Sequence, residues 1–309
     1  MCLYPPEGQL SKTVQNAAAL KSHSALTAAA LSGKILEARA TLCDSDHNLH
    51  VDLGGLEGII PREEGALGIR EGLVRDIALI TRVGKPVCFK VMGFDQLPDG
   101  RHRAILSRRA AQEECRERSL DLLLPGDIIP AKITHMEPFG CFVDVGCGIS
   151  ALLPIDSISV SRISHPRDRF CCGQEIFGVV KSCDTAGRIT LSHKELLGTW
   201  EENAALFSPG ETVAGVIRSV ESYGVFVELT PNLAGLAEPR DNVCPGQQAS
   251  VYIKSILRDK MKLKLIIVDA FSAATPPPPL RYFRTEGVLS SFCYSPPSAD
   301  RVIQTVFRG

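Results

Sequence analysis

The chain has 309 residues, 44% hydrophobic and 22% charged, which is enough apolar material for two or three globular cores. Its 34 Lys and Arg stand against 35 Asp and Glu, a net charge of −1; this excludes a polycation that coats nucleic acid by bulk charge and leaves local patches open. No apolar run approaches the roughly 18 residues of a membrane span, and the opening MCLYPPEGQL has neither the basic nor the apolar region of a secretory leader, so a cytoplasmic chain with no membrane partner is expected.

In chain order, the Ala-rich stretch Ser24 to Ser32 predicts a helix that stops at Gly33, making residues 1–32 a helical head. From there the dominant signal is repetition. PGDIIPAKITHMEPFGCFVDVGCGISALLP from Pro125 aligns with PGETVAGVIRSVESYGVFVELTPNLAGLAE from Pro209. Phe139-Gly140-Cys141-Phe142-Val143 falls on Tyr223-Gly224-Val225-Phe226-Val227. Further on, CGQEIFGVVKSCD from Cys172 matches PGQQASVYIKSIL from Pro245. A more diverged copy begins at Gly33, with VGKPVCFKVMGFD from Val83 and RAILS from Arg103 parallel to RITLS from Arg188. Three units are therefore expected, over 33–110, 124–195 and 208–270.

Each unit reads as five short strands, from period-two alternation bounded by Gly, Pro, Asp and Asn. In the second they fall near 127–137, 141–146, 149–154, 174–184 and 187–192. Five strands in so short a unit, with a longer connection after the third, predict a Greek-key barrel of the OB type. The predicted class is mainly β: three tandem five-stranded OB barrels joined by short helices. The amphipathic segments 107–120 and 193–207 are predicted to be helical spacers, and Arg70 to Arg82 another helix.

The tail, 271–309, opens with Thr275 and four prolines, 276–279, a stiff polyproline spacer. LRYFRTEGVLSSFCYS then reads as strand or extended chain, and Ser298 as the N-cap of a last helix running through Phe307. Arg281, Arg284, Arg301 and Arg308 make the tail mildly basic. The 11 cysteines contain no C-x-x-C, and Cys171 and Cys172 are adjacent; reduced thiols packed as small hydrophobes are expected. The seven histidines show no H-x-H or H-x-x-x-H set, so no metal and no cofactor is expected.

The second strand carries the chemistry. Alternation puts Cys141, Val143 and Val145 on one face, and Val225, Val227 and Leu229 likewise, which must be the core. Phe142 and Phe226 then point outward, each next to an acid, Asp144 or Glu228. Phe139 and Tyr223 stand immediately before a glycine that lets the chain bend and brings a second ring to the patch. Exposed ring pairs cost solvation and add nothing to a core; stacking of bases is a physical reason to keep them, at about 1–3 kcal/mol per base. Arg188, with Asp184 four residues before it, and Lys262 supply a cation at the same place on the fifth strand, as Arg103 does in the first unit. His165 and Lys132 are further candidates in the second unit. In the first unit His50 and His47 replace the two rings, so weak binding, or docking on protein, is expected there.

At these residues the sequence resembles a known family. The run from Gly126-Asp127 through Phe139-Gly140-Cys141-Phe142-Val143-Asp144-Val145-Gly146, the Gly173-Gln174 turn with Val180 and Asp184, and RITLSHKE from Arg188 are similar to the RNA-binding domain named after bacterial ribosomal protein S1. The resemblance covers about 30–270 as three tandem copies. It implies an OB barrel binding single-stranded RNA on the face with Phe139, Phe142, Asp184 and Arg188, and with Tyr223, Phe226 and Lys262 in the third copy. A histidine common in that family at the end of the third strand is replaced by Pro154 and Glu238. The expected partners are single-stranded mRNA and the small ribosomal subunit, for a monomeric chain that aids mRNA engagement in translation. Head and tail are expected to dock, and removal of residues 276–309 is expected to leave RNA affinity nearly intact. The competing readings are a docking module with a regulatory role and an accessory subunit of an RNA-degrading complex; with no P-loop, paired acids or Ser/Cys–His arrangement, a non-enzyme is expected.

Overall fold

The computed structural model describes residues 4–98, 100–273 and 279–308; Thr275 to Pro278, most of the expected polyproline spacer, lie outside them. After two helices, α1 (Val14–Leu20) and α2 (His23–Leu31), come β1 (Leu36–Cys43), β2 (Leu49–Asp52), β3 (Glu57–Ile60), α3 (Ile77–Ile80), β4 (Pro86–Gln96), β5 (His102–Ser107) and α4 (Arg108–Arg118). The second set is β6 (Ile128–Glu137), β7 (Gly140–Asp144), β8 (Ser150–Pro154), β9 (Glu175–Cys183) and β10 (Ile189–Ser192). Next follow α5 (Trp200–Ala204), β11 (Thr212–Glu221), β12 (Gly224–Thr230), β13 (Leu233–Ala237), β14 (Gln248–Leu257) and β15 (Lys262–Phe271), and last β16 (Ser291–Cys293) and β17 (Gln304–Val306).

Each set of five closes into a barrel with the same order, first-second-third-fifth-fourth. The parallel pairing of third and fifth strands, Glu57 with Arg103 and Leu236 with Lys264, closes the barrel and leaves no long free edge. Burial alternates as the strand period demands: Leu263, Leu265 and Ile267 are buried, whereas Lys262, Lys264 and Ile266 face out.

The chain divides into two compact units, Met1–Leu123 with Asp144–Ser150, and Leu124–Val143 with Ala151–Gly309. In the first unit, chain at Tyr4 to Glu7 is buried without being helical, so the head is helical only from the 3-10 turn Leu10–Lys12 onward. The Glu7 carboxylate accepts from Arg108 Nε at 2.7 Å and from the Cys88 amide at 3.1 Å. Asp144, expected on an outer face, is buried: it accepts from the amides of Glu7 (2.7 Å), Gly146 (2.9 Å) and Gly148 (3.0 Å). Burial, with the Glu7 charge beside it, pushes its carboxyl up to about 7. The segment 107–120 is not a bare spacer. Its helix, α4, packs on β4 and buries Ala111, Gln112 and Cys115. The helix expected over 70–82 shrinks to α3, because Gly68 and Gly72 adopt φ of +87° and +69°, outside helical geometry.

In the second unit the tail corrects the sequence reading most. It is neither a helix nor a free docking arm. Asp127 bridges to Val288, the Leu289 amide donates to Gly126 O at 2.8 Å, and Leu289 is buried on the second barrel. Phe292 and Tyr294 enter the core of the third. Where a helix was expected from Ser298, β17 instead pairs antiparallel with β16, Phe292 opposite Thr305, which seats Phe292 in that core. The segment 193–207 breaks at Gly198 (φ +87°) into a 3-10 turn and α5, whose Trp200 and Ala204 are core residues of the third barrel. The second and third barrels are also clamped directly. Arg169, in the loop after β8, makes a buried bidentate pair with Glu228, which also accepts from Arg218 Nε at 2.8 Å. Glu228 is thus another acid expected outside and found buried. Of the ten described cysteines, Cys171, Cys172, Cys183, Cys244 and Cys293 are exposed, contrary to the packing expected of them.

His193 is fully buried, its Nδ1–H donating to Ile158 O (2.9 Å) and its Nε2 accepting from the Tyr282 hydroxyl (3.0 Å). Burial lowers its pKa from 6.5 to about 4. The unfolded chain therefore binds a proton below pH 6.5 that the folded chain refuses until pH 4. Stability should fall as pH drops through that window, by up to about 1.4 kcal/mol per pH unit. Urea melts at pH 7, 6 and 5 should show this loss, and His193→Gln should flatten it; an equal pH slope in both proteins would contradict the assignment.

Candidate nucleic-acid interface

The two ring pairs form as the sequence predicts. Phe139 and Phe142 stand edge-to-face with centroids 6.0 Å apart and planes at 88°; Tyr223 and Phe226 repeat this at 6.2 Å and 88°. Phe139 is 56% exposed and Tyr223 64%, whereas Phe142 and Phe226 are half-buried beneath them. The intervening glycine is required by a close approach: a Cβ on Gly140 would lie 2.4 Å from Leu153 O, and one on Gly224 2.6 Å from Ala237 O. That approach lets the preceding ring bend back over the strand. The core faces behind are as expected, with Cys141, Val143, Val225 and Val227 sealed.

The fifth strand supplies the charge. Arg188 is 83% exposed, and its Nε donates to Asp184 Oδ2 at 2.6 Å. The Arg188 amide and guanidinium hold the Asp184 carboxyl below its usual range, so Asp184 is an anion that orients the arginine at neutral pH. Lys262 is exposed at the start of β15. Register fixes the third barrel's face further: Phe226 pairs with Leu236, and Leu236 with Lys264, so a ring, an exposed leucine and a lysine lie in one row.

Two residues of this face were missed from sequence. Lys264 is one, although its signal was plain: two residues after Lys262, it must share that residue's side of the strand. The other is His135, whose ring lies nearly parallel to Phe142 at 6.4 Å and whose Nε2 contacts Glu137 at 2.6 Å. His165 behaves differently from expectation. Its Nδ1 accepts from the Arg167 amide at 3.1 Å and caps a 3-10 turn, a role within its own loop. Lys132 is half-buried on β6, opposite Glu175.

The first barrel presents something else at this position. His50 is held on both nitrogens by carboxylates, Glu57 at 2.7 Å and Asp44 at 3.3 Å. Arg103 is paired with Asp95 at 2.7 Å and is far less exposed than Arg188. Where the other barrels offer rings, this one offers anionic groups.

Comparison with known proteins singles out the second barrel. Residues 124–194 match the family model described as the S1 RNA binding domain. That match falls on the second barrel. Over 264 residues the chain is 30% identical to the small ribosomal subunit protein bS1 of Staphylococcus aureus strain COL, spanning 80% of this chain and 64% of that relative's length. It is 29% identical over 236 residues to bS1 of Staphylococcus epidermidis, spanning 71% and 57%. Among solved structures, a multidomain protein with nucleic acid binding domains from Streptococcus pneumoniae covers 77% of this chain and 74% of its own, at 14% identity and a TM-score of 0.26, too low to bear on the fold. The first and third barrels share the second barrel's strand order, and the third shares its ring pair. Among the described residues no helix is long and apolar enough to cross a membrane.

Proposed function

We propose that the chain binds single-stranded RNA on its second and third barrels, by stacking bases on the ring pairs and holding the backbone with fifth-strand cations. One observation carries this reading: the edge-to-face pair, half exposed, occurs twice with the same geometry to within a few tenths of an ångström. Stacking tolerates any base, so little sequence preference follows. Similarity to the small ribosomal subunit protein bS1 extends the reading to work at the small ribosomal subunit; engagement of mRNA there by a monomeric, cytoplasmic, non-catalytic chain is part of the same proposal. The site residues are Phe139, Phe142, Asp184 and Arg188 in the second barrel and Tyr223, Phe226, Lys262 and Lys264 in the third. His165 acts through its loop.

The first barrel favours a different role. With His50 clamped between Asp44 and Glu57 it repels phosphate and suits docking on protein. The test is fluorescence anisotropy with a labelled oligouridine, competed by unlabelled single strand or by duplex of equal length. Displacement by single strand alone supports the reading, and equal displacement by duplex contradicts it. Co-sedimentation with small subunits at low and high salt tests the ribosomal part.

A further inference from the structure

At the far end of the third barrel's exposed lysine row, the folded-back tail borders an open pocket of about 320 Å³ lined by Asp259, Lys260, Met261, Lys262, Asp300 and Arg301. It joins the β14–β15 hairpin to the loop before β17, and the Asp300 amide donates to Asp259 O at 3.3 Å, tying the two segments together. Three cations meet there. Among the described residues none of Lys260, Lys262 and Arg301 forms an ion pair, although Asp259 and Asp300 stand in the same wall.

Register connects the pocket to the rings. Lys262 and Lys264 are two residues apart on one face, about 7 Å along the strand, and Lys264 lies in the row of Leu236 and Phe226. A line of cations thus runs from Phe226 along β15 to the tail. We propose that Arg301 of the tail, with Lys260 and Lys262, forms a phosphate-binding pocket that holds the backbone of the strand whose bases stack on Tyr223 and Phe226. The inference rests on the RNA-binding reading above. It gives the tail a part in binding, against the sequence expectation that the tail is dispensable for RNA.

The test is anisotropy titration of the full chain with labelled oligouridine from about 50 to 300 mM salt, comparing wild type with Arg301→Ala, Lys260→Ala, their double variant and Phe226→Ala. Both cations lie on the surface, and an unchanged thermal midpoint checks that folding is intact. Single-strand binding loses about 0.7 in the slope of log K against log salt for each phosphate contact removed. The double variant should therefore flatten the slope by about 0.7 or more and weaken binding several-fold at low salt, whereas Phe226→Ala should weaken binding and leave the slope unchanged. A double variant with wild-type slope and affinity, while Phe226→Ala still weakens binding, overturns the tail pocket alone. Loss of effect in both overturns the pocket together with the stacking reading beneath it.

Discussion

Phe142→Ala should weaken oligouridine binding by roughly 5- to 150-fold, the equivalent of about 1–3 kcal/mol for one lost base stack. Phe226→Ala should do the same in the third barrel. Both rings are half-buried, Phe142 beside the Phe139 and His135 rings and Phe226 beside Tyr223 and Leu236; neither contributes to the core sealed on the other side of its strand by Val143 or Val227. Folding should therefore survive, with a thermal midpoint within a few degrees of wild type. Tyr223→Phe keeps the π face and should bind as wild type does, whereas Tyr223→Ala should not. The paired variant of Phe142 and Phe226 is the informative one. The Arg169–Glu228 clamp and the tail fix the two barrels in one compact unit, so a strand engaging both gains from the high effective concentration of the second site. Losing both rings should cost more than either alone, because neither barrel then keeps a full stack for the other to build on. Wild-type affinity in the paired variant would move the whole chain to the protein-docking reading.

Ending the chain before Pro279 should destabilise the second unit severely. Leu289, Phe292 and Tyr294 leave the protein, and each large apolar side chain removed from a core costs about 2–5 kcal/mol. Tyr294 also takes with it a hydroxyl bond to Asn232 O, and loss of Tyr282 leaves Nε2 of the buried His193 without its partner. Small domains have only about 5–15 kcal/mol of stability in total, so the truncated chain should be largely unfolded or aggregated in its second unit. Phe292→Ala isolates one contact and should cost about 3–5 kcal/mol by urea melt. A truncated chain with a wild-type melting curve would show that the tail is an appendage.

Strand-level features were legible because they depend on local periodicity. A two-residue alternation sets which face of β7 and β12 is core, and the internal repeat showed that Phe142 and Phe226 answer the same demand. The buried acids were not legible. Asp144 and Glu228 do point away from their barrel cores, as alternation requires, yet each is covered by chain distant in sequence: Glu7 and Arg108 in one case, Arg169 in the other. Alternation reports the face of a strand, not what lies against it. The tail was misread for the same reason. Its Ser298 has the chemistry of a helix cap, but Phe292 and Tyr294 gain more by entering the third barrel's core than a short isolated helix would return. His165 was assigned from composition of a loop, where side-chain direction has no period to follow.

Bound bases should lie against four particular rings, Phe139, Phe142, Tyr223 and Phe226. Photocrosslinking with an oligouridine carrying 4-thiouridine, followed by mass spectrometry of the adducted peptides, locates the bases directly. Adducts should concentrate on the peptides holding Phe139 and Phe142 and those holding Tyr223 and Phe226, and should be sparse on the first barrel's His47 to Asp52. Adducts concentrated on the first barrel, with the four rings unmodified, would contradict this placement.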